Sequence, residues 1–480
     1  MPKISFNLNS VITYLLAFLA VILIFHNLLI QFLVFKLDLP QYIALYKEFL
    51  TLLIIILMSF CISKKVYLER NLIKFNTFLP LILWLILLIL MFISSVFNQT
   101  EIKWFILGFR LELWWLLFFV ISFVYLKLFK INFQILNKSL FFGFVLVSFI
   151  NILILFFGHV NILSPLGFGS GNTETNLKNT PLCSQIDFQV SGCRLDGGFS
   201  SPNHFAGYLL LILPVLIYNS FSKNSYFKVF SKFLLILNFV FVFLSFARFS
   251  WLALVVCILF AFLFFLKKLI DENLKVSNFI KSYSQKVFSI LGFLVIFGGL
   301  LFAVVIVNLD PNWLINKVPV FLAKPSSSIE HYRQTQASLE ILKDSNWQIC
   351  CGFGPSSSGS NPRNYEYPDN PLVKNFGYLA FKWYLQPSPG GIVLPENWFL
   401  QIWLNQGFVY LIFYLMLLII PVLSLFKAIF LATKNISIWQ IITNLAFFAI
   451  IFGNFFLHIF ESQIISLYWT LIFIWSRFID

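Results

Sequence analysis

The chain consists of long apolar stretches separated by short connections that carry most of its charge. An apolar stretch of about 20 residues crosses the hydrocarbon core of a bilayer as one helix. Hydrophobic residues make up 60% of the chain and charged residues only 11%, which leaves too little polar surface to cover a water-soluble fold of this length. The sequence therefore excludes a soluble enzyme, a disordered chain and a disulfide-rich miniprotein, and predicts an all-α polytopic membrane protein.

The apolar stretches predict twelve transmembrane helices, near residues 11–34, 43–63, 76–96, 103–127, 138–158, 203–219, 230–247, 249–267, 288–308, 403–427, 438–457 and 462–478. They divide the chain into five consecutive parts. These are five N-terminal transmembrane helices (1–158), a first extracytoplasmic loop (159–202), four transmembrane helices (203–308), a large extracytoplasmic loop (309–402) and three C-terminal transmembrane helices (403–480).

Basic residues are distributed unevenly between the two sides of this arrangement. The connections after the even-numbered spans hold seventeen Lys and Arg residues, whereas the short connections on the other side hold three, Lys36, Lys103 and Arg248. The positive-inside rule then places both termini in the cytoplasm and both long loops outside. The net charge of +14 is explained by this topology signal, so we expect no nucleic-acid partner.

Four of the six cysteines lie in the two long loops that are predicted to be outside. Cys183 and Cys193 share the first outer loop, and Cys350 and Cys351 share the second. An oxidising compartment permits a Cys183–Cys193 disulfide, and four free thiols are the alternative. No spacing of cysteines resembles a zinc site, and no metal is expected.

Two ionisable residues interrupt the fourth span. Arg110 and Glu112 lie within an otherwise apolar stretch, where charged groups are expensive and usually face the interior of the bundle. Arg110 is either a structural ion-pair partner or a contact for an anionic lipid substrate, and the sequence alone does not decide between them.

The first outer loop ends in GGFSSPNHFAGYLL, residues 197–210. Ser201 or Asn203 could cap the sixth span, with Pro202 in its first turn. His204 falls at the outer membrane surface, where it has either a structural or a catalytic role. The seventh and eighth spans are joined by SFARFSW, residues 245–251, which puts Arg248 in a tight outer turn. Arg248 is either a headgroup contact or a planar donor fork for phosphate.

The large outer loop contains three polar segments. PSSSIEHYRQTQASLEILKD, residues 325–344, predicts a helix with Ser327 and Glu330 at capping-box spacing and Arg333 one turn after its start. CCGFGPSSSGS, residues 350–360, has glycines that allow a tight backbone path close to a ligand. PENWFLQIWLNQG, residues 395–407, places Glu396 and Asn397 where the chain re-enters the membrane. Glu396 could be a buried acceptor, the partner of a Lys, or a general base.

Taken together, four of these segments resemble the bacterial O-antigen ligase and O-antigen polymerase family. They are GGFSSPNHFAGYL, SFARFSW, the HYRQTQASLEIL and CCGFGPSSSG run, and PENWFLQIWLNQG. Each segment is a weak signal alone, but their order and the position of the largest loop before the third-last span match the family. The resemblance covers about residues 150–430.

The resemblance implies a membrane-embedded, inverting glycosyltransferase that needs no metal or other cofactor. Its donor is a glycan on undecaprenyl diphosphate, and its acceptor is lipid A–core, a second glycan repeat or a protein. Arg248 and Arg333 match the positions of the family's diphosphate-binding arginines. Glu396 stands where the ligases have a catalytic His, so here the base, the acceptor or both differ. Asn203, His204, Tyr208, Arg110 and Asn397 complete the expected substrate-binding set, among surrounding membrane lipids.

A transporter is the alternative from a different class, because twelve spans suit many carriers. Most of the polar candidates cluster at the outer face rather than at the middle of the bilayer, and no inverted repeat is evident. The sequence therefore favours the transferase.

Overall fold

A computed structural model describes residues 7–69, 75–157, 195, 198–199, 201–245, 247, 249–253, 325–358, 397–423, 438–455, 457 and 459–477. The regular secondary structure in these ranges is entirely helical, which confirms the all-α prediction. Fifteen helices can be followed in chain order: α1 Leu8–Ile22, α2 His26–Ile30, α3 Tyr46–Leu68, α4 Leu79–Phe97, α5 Ile102–Gly108, α6 Trp114–Leu128, α7 Phe133–Phe157, α8 Pro202–Ser220, α9 Ser225–Leu244, α10 Pro325–Asp344, α11 Gln348–Cys351, α12 Trp398–Gln406, α13 Phe408–Ile419, α14 Ile438–Gly453 and α15 Gln463–Ser476.

Five helical segments are long and apolar enough to cross a membrane: Gln41–Leu68, Leu79–Phe97, Ile102–Leu128, Phe133–Phe156 and Ser225–Leu244. A sixth candidate is the pair Leu8–Ile22 and His26–Val34, which bends by 73° at the break between the two helices. The sequence predicted one continuous span there. Shorter apolar helices occupy Phe408–Val422, Trp439–Gly453 and Gln463–Ser476. The total of twelve spans stays a prediction, since residues 254–324 lie outside the described ranges.

Side-chain caps set several helix starts. Ser201 Oγ accepts the backbone N–H of His204 at the start of α8, and Pro202 fills the first helical position, as a helix start of this composition predicts. Asn224 caps α9 and Asn397 caps α12 in the same way. The helix predicted at 325–344 is present, but it begins at Pro325, so Ser327 lies inside its first turn rather than before it.

Helix α15, the last helix of the described chain, is enclosed by the other helices of the bundle. All fourteen residues of α15 are buried, although a lipid-facing helix would expose one side. Its Trp469 packs against Phe119, with ring centroids 5.0 Å apart, and against Trp115 at 5.7 Å. These contacts between large aromatic rings hold α15 against α6.

Polar side chains join the helices at both ends of the bundle. At one end Tyr125 donates to Asn9, while Asn137 donates to Asn219 and accepts from Trp475. The same end, which we call the basic end, carries Lys64, Lys65, Lys127 and Lys130. The opposite end, the loop end, is where α4 and α9 finish and where α3, α5, α8 and α12 begin.

Candidate functional site

The connection from Gly453 to Gln463 organises the loop end. A Cβ on Gly453 would lie 2.8 Å from a ring carbon of Phe249, and one on Gly207 would lie 3.1 Å from Ile459. The backbone N–H of Trp398 donates to the Asn454 carbonyl at 3.0 Å. Three segments that are distant in sequence, around residues 207, 249 and 398, therefore meet on this one connection.

The same connection reaches the fourth predicted span. Gln463 Nε2 donates to the backbone carbonyl of Arg110 at 2.9 Å, and the ring of Phe460 stacks on Trp115 with centroids 4.9 Å apart. The carbonyl of Arg110 is available because residues 109–113 form a π-helical turn, in which the regular hydrogen-bond ladder is interrupted. Turns of this kind are frequent at functional sites.

The CCGFGPSSS segment lies flat against the end of α12. Backbone N–H groups of Phe353 and Gly354 donate to the carbonyls of Leu404 and Asn405 at 2.8 and 2.9 Å. Asn98 Nδ2 donates to the Gly352 carbonyl from the end of α4. Glycine is required at residue 352, where φ is 71° and a Cβ would lie 2.3 Å from the Asn405 carbonyl oxygen.

A buried carboxylate lies directly beneath this segment. Glu112 is 2% exposed and accepts hydrogen bonds from Asn405 Nδ2 at 3.2 Å and Gln406 Nε2 at 3.0 Å. The amide oxygen of Asn405 in turn accepts from the Ser357 hydroxyl and from the backbone N–H and hydroxyl of Ser358. This buried network joins Ser357 and Ser358 to helix α12 and to Glu112, which has no charged partner among the described residues.

Arg110 pairs with Glu48 and not with its neighbour Glu112. Its Nε and Nη2 atoms lie 2.7 and 2.6 Å from Glu48 Oε1 at the start of α3. Lys47 Nζ approaches the same oxygen at 3.2 Å. The ion pair that the sequence left open therefore exists, but it links two helices rather than residues 110 and 112.

A chain of hydrogen bonds runs from Lys47 through His26 to Tyr46. Lys47 Nζ lies 3.2 Å from His26 Nε2, and His26 Nδ1 lies 3.1 Å from the Tyr46 hydroxyl. A lysine ammonium can only donate, so His26 accepts at Nε2 and carries its proton on Nδ1. We call Arg110, Lys47, Glu48, His26 and Tyr46 the Arg110 cluster. It forms at the bend between α1 and α2, where His26 begins the second helix.

The structure locates four of the other residues named from the sequence. Asn203 and His204 are half-buried in the first turn of α8, and Asn397 is half-buried at the start of α12. Tyr208 is fully buried between the rings of Phe199 and Tyr468, and its hydroxyl has no hydrogen-bond partner in the described part of the chain. Tyr208 therefore packs inside the bundle instead of lining an open cleft.

The side chains of the three residues named as catalytic are not among those that the structure describes. Arg248 and Glu396 lie outside the described residues. Ala247 and Phe249, the neighbours of Arg248 in the sequence, and Asn397, which follows Glu396, are at the loop end. Arg333 lies within helix α10, and the described side chains of that helix begin at Gln334. Their roles stay predictions. Cys183 and Cys193 also lie outside the described ranges, whereas Cys350 and Cys351 are free thiols.

Sequence reasoning missed Glu48, Lys47, His26 and Asn405. Three of these had a usable signal, because Lys47, Glu48 and His26 are ionisable groups at the edges of apolar stretches, where such groups usually face a partner. Asn405 had no such signal, since an amide near a helix end is common. Among the described residues no group of three His, Cys, Asp or Glu side chains is placed to hold a metal ion.

Comparison of the chain with known protein families and with curated proteins finds no match.

Proposed function

We propose that the protein is a glycosyltransferase of the O-antigen ligase and polymerase type. It moves a glycan from undecaprenyl diphosphate to an acceptor hydroxyl at the outer face of the bacterial inner membrane. The observation that carries the proposal is the meeting of three of the resembling segments on the Gly453–Gln463 connection, through Gly207, Phe249 and Trp398. Segments that form one site must converge in this way.

The loop end offers the surroundings that such a reaction needs. In the sequence, Arg248 is next to Ala247 and Glu396 is next to Asn397, and Ala247 and Asn397 lie at the loop end. The CCGFGPSSS segment is fixed on α12, the helix that Asn397 caps. Helices of the membrane region below would hold the polyprenyl tail, as apolar helices hold other lipid chains.

In the proposed reaction the acceptor oxygen attacks the anomeric carbon from the face opposite the diphosphate. The carbon–oxygen bond to the diphosphate breaks, and its electron pair leaves with the lipid diphosphate. Arg248 and Arg333 stabilise the negative charge that grows there, because fixed donors aimed at developing charge lower the barrier. Glu396 accepts the proton of the acceptor hydroxyl, and the product has inverted stereochemistry.

Surface glycans of a deletion strain test this function. We expect a strain without the gene to lose either glycan length or glycan attachment, and a plasmid copy to restore it. Loss of long chains alone indicates a polymerase, whereas long chains left on the lipid carrier indicate a ligase. Normal glycans on lipid and on protein would contradict the proposal.

A transporter is the second candidate, and one observation favours it. The 73° break after Ile22 and the ionisable Arg110 cluster beside it are features of carriers with discontinuous helices. Reconstituted protein distinguishes the two functions. A transferase links glycan to acceptor in detergent without any compartment, whereas a transporter gives no product there and moves solute only across sealed vesicles.

A further inference from the structure

The Arg110 cluster has more basic than acidic side chains. Arg110 and Lys47 share a single oxygen of one carboxylate, Glu48 Oε1, at 2.6 and 3.2 Å. His26 accepts from Lys47 and is neutral, so it supplies no compensating negative charge. An uncompensated positive charge in a membrane domain is unfavourable unless an anion or water reaches it.

The guanidinium of Arg110 has unused hydrogen-bonding capacity. It carries five N–H donors in a planar fork, and its contacts among the described residues are those of Nε and Nη2 with Glu48. Glu48 fixes the orientation of the fork, which distinguishes it from an arginine that extends freely to the headgroups. A fixed fork with remaining donors suits a phosphate group.

The part of the Arg110 side chain that does not contact Glu48 is exposed on the outside of the helix bundle. Its side chain is 34% exposed, whereas that of Lys47 is 5% exposed. Ile106, one turn earlier on the same helical face, is 58% exposed, and Phe49 beside Glu48 is 66% exposed. Exposed isoleucine and phenylalanine side chains mark a lipid-facing surface, so the guanidinium borders lipid.

Arg110 lies nearer to one end of its span than to the middle. It follows Ile102, the first residue of the 27-residue segment Ile102–Leu128, by eight positions. At a rise of about 1.5 Å per residue, this is roughly 12 Å along a helix about 40 Å long, whereas the hydrocarbon core is about 30 Å thick. In a segment centred on the bilayer, Arg110 is therefore roughly 7 Å inside the edge of the core, a distance that an extended arginine side chain can span to a lipid phosphate.

We propose that the Arg110 cluster binds the phosphate group of an anionic lipid, which reaches it sideways from the bilayer. Arg110 donates hydrogen bonds to the phosphate oxygens, and Glu48 holds the guanidinium in position. Lys47 adds positive charge from the buried side of the cluster. This binding is a property of the membrane helices and does not depend on glycosyl transfer. The same phosphate chemistry is found in phospholipids and in polyprenyl phosphates.

Native mass spectrometry of the delipidated, full-length protein tests the proposal, with phosphatidylglycerol and phosphatidylcholine as probes. We expect phosphatidylglycerol adducts to form at lower concentration than phosphatidylcholine adducts. Arg110→Gln weakens phosphatidylglycerol binding roughly tenfold, which corresponds to the loss of one charge-assisted hydrogen bond. Glu48→Gln strengthens it, because the competing carboxylate is removed. Lys103→Gln is the matched control on the same span, since Lys103 pairs with Glu101 on the surface.

Two further comparisons make the result decisive. Equal phosphatidylglycerol binding by the parent, Arg110→Gln and Glu48→Gln proteins would overturn the proposal, and the stronger binding expected of Glu48→Gln cannot arise from misfolding. Inorganic diphosphate is added as a competitor. We expect it to displace the lipid only at much higher concentration, and specific binding of diphosphate without any lipid adduct would show that the ligand is a soluble anion instead.

Discussion

Gly352 and Gly407 each pack against the peptide backbone beside the other. A Cβ on Gly352 would lie 2.3 Å from the Asn405 carbonyl oxygen, and a Cβ on Gly407 would lie 1.9 Å from that of Cys350. Both residues have positive φ, 71° and 90°. This reciprocal contact holds the CCGFGPSSS segment to the junction of α12 and α13, and it requires glycine on both sides.

Gly352→Ala and Gly407→Ala should each destabilise the protein. Positive φ costs a residue with a side chain about 1–3 kcal/mol, and the collision with backbone adds a similar amount of strain. We expect a lower midpoint of thermal unfolding in detergent for both variants. Gly143→Ala is the control, because its Cβ would meet only the flexible end of the Ile24 side chain. A midpoint of Gly352→Ala equal to that of Gly143→Ala would argue against the packing.

Asn405→Asp should destabilise the buried network beneath that segment. The amide donor that faces Glu112 at 3.2 Å is replaced by a second carboxylate, so two acidic groups meet without a cation. Removing a buried hydrogen bond of this kind costs about 1–3 kcal/mol, and more when a charge is involved.

The double variant Glu112→Gln, Asn405→Asp should recover much of that stability. The introduced glutamine amide would donate to the introduced aspartate, and its oxygen would still accept from Gln406, which lies 3.0 Å from Glu112 in the parent protein. The second aspartate oxygen would keep the Ser357 and Ser358 donors. Unfolding midpoints of the four proteins form a double-mutant cycle. Additive losses would mean that the two side chains do not act together.

Cys350 should react with a membrane-impermeant maleimide added to intact cells. It is exposed at the loop end, which the basic-residue distribution places outside. The test uses a variant that keeps Cys350 as its only cysteine, and Tyr226→Cys in a cysteine-free background reports the basic end. Tyr226 is 88% exposed and should react only after the membrane is opened. Labelling of Tyr226→Cys on intact cells, with Cys350 labelled only after the membrane is opened, would show that the topology is the opposite one. Ser357, 1% exposed, is unsuitable as a labelling site.

Cys351 should react more slowly than Cys350 in a comparison of single-cysteine variants. Burial, reinforced by the neighbouring Cys350, raises the pKa of the Cys351 thiol, so less of the reactive thiolate is present at a given pH. In purified protein, the alkylation rate of Cys351 should therefore keep rising to higher pH. A faster reaction at Cys351 would contradict its half-buried position.

Arg248→Ala and Arg333→Ala should each abolish glycan transfer while the protein still inserts and folds. Loss of one donor to the developing charge slows a reaction by about 100- to 1,000-fold. Arg→Lys should restore activity only in part, because an ammonium cannot make the planar fork contact. The measurement is product formation from a lipid-diphosphate donor. Full activity in either alanine variant would remove that arginine from the site.

Glu396→Gln should keep donor binding and lose turnover, because glutamine has a similar shape but cannot accept the proton. Glu396→His should regain some activity if residue 396 is the base. If Glu396 only pairs with Arg333 and holds the loop, the Gln variant should keep appreciable activity. His204 then becomes the next candidate for the base.

Hydrophobic runs and helix starts could be predicted from the sequence, since they depend on residues close together in the chain. The presence of a helix at 325–344 and the cap at Ser201 are examples, although the former helix begins at Pro325 and not after a cap at Ser327. The partner of Arg110 could not be predicted, because Glu48 is 62 residues away and the nearer Glu112 is an equally good choice on charge alone. Only the packing of α3 against α6 brings Glu48 to Arg110. The bend after Ile22 was missed because the break itself, residues 23–25, is Leu-Ile-Phe and contains no proline or glycine.

The Gly453–Gln463 connection also has a consequence for biosynthesis. It leaves the ribosome after four of the segments that it contacts, around Arg110, Gly207, Phe249 and Trp398. During synthesis these elements are inserted first and cannot yet be joined, so the loop end closes only when α14 and α15 arrive. A chain released before residue 463 would lack these contacts, which makes the synthesis of α14 and α15 the step that assembles the loop end.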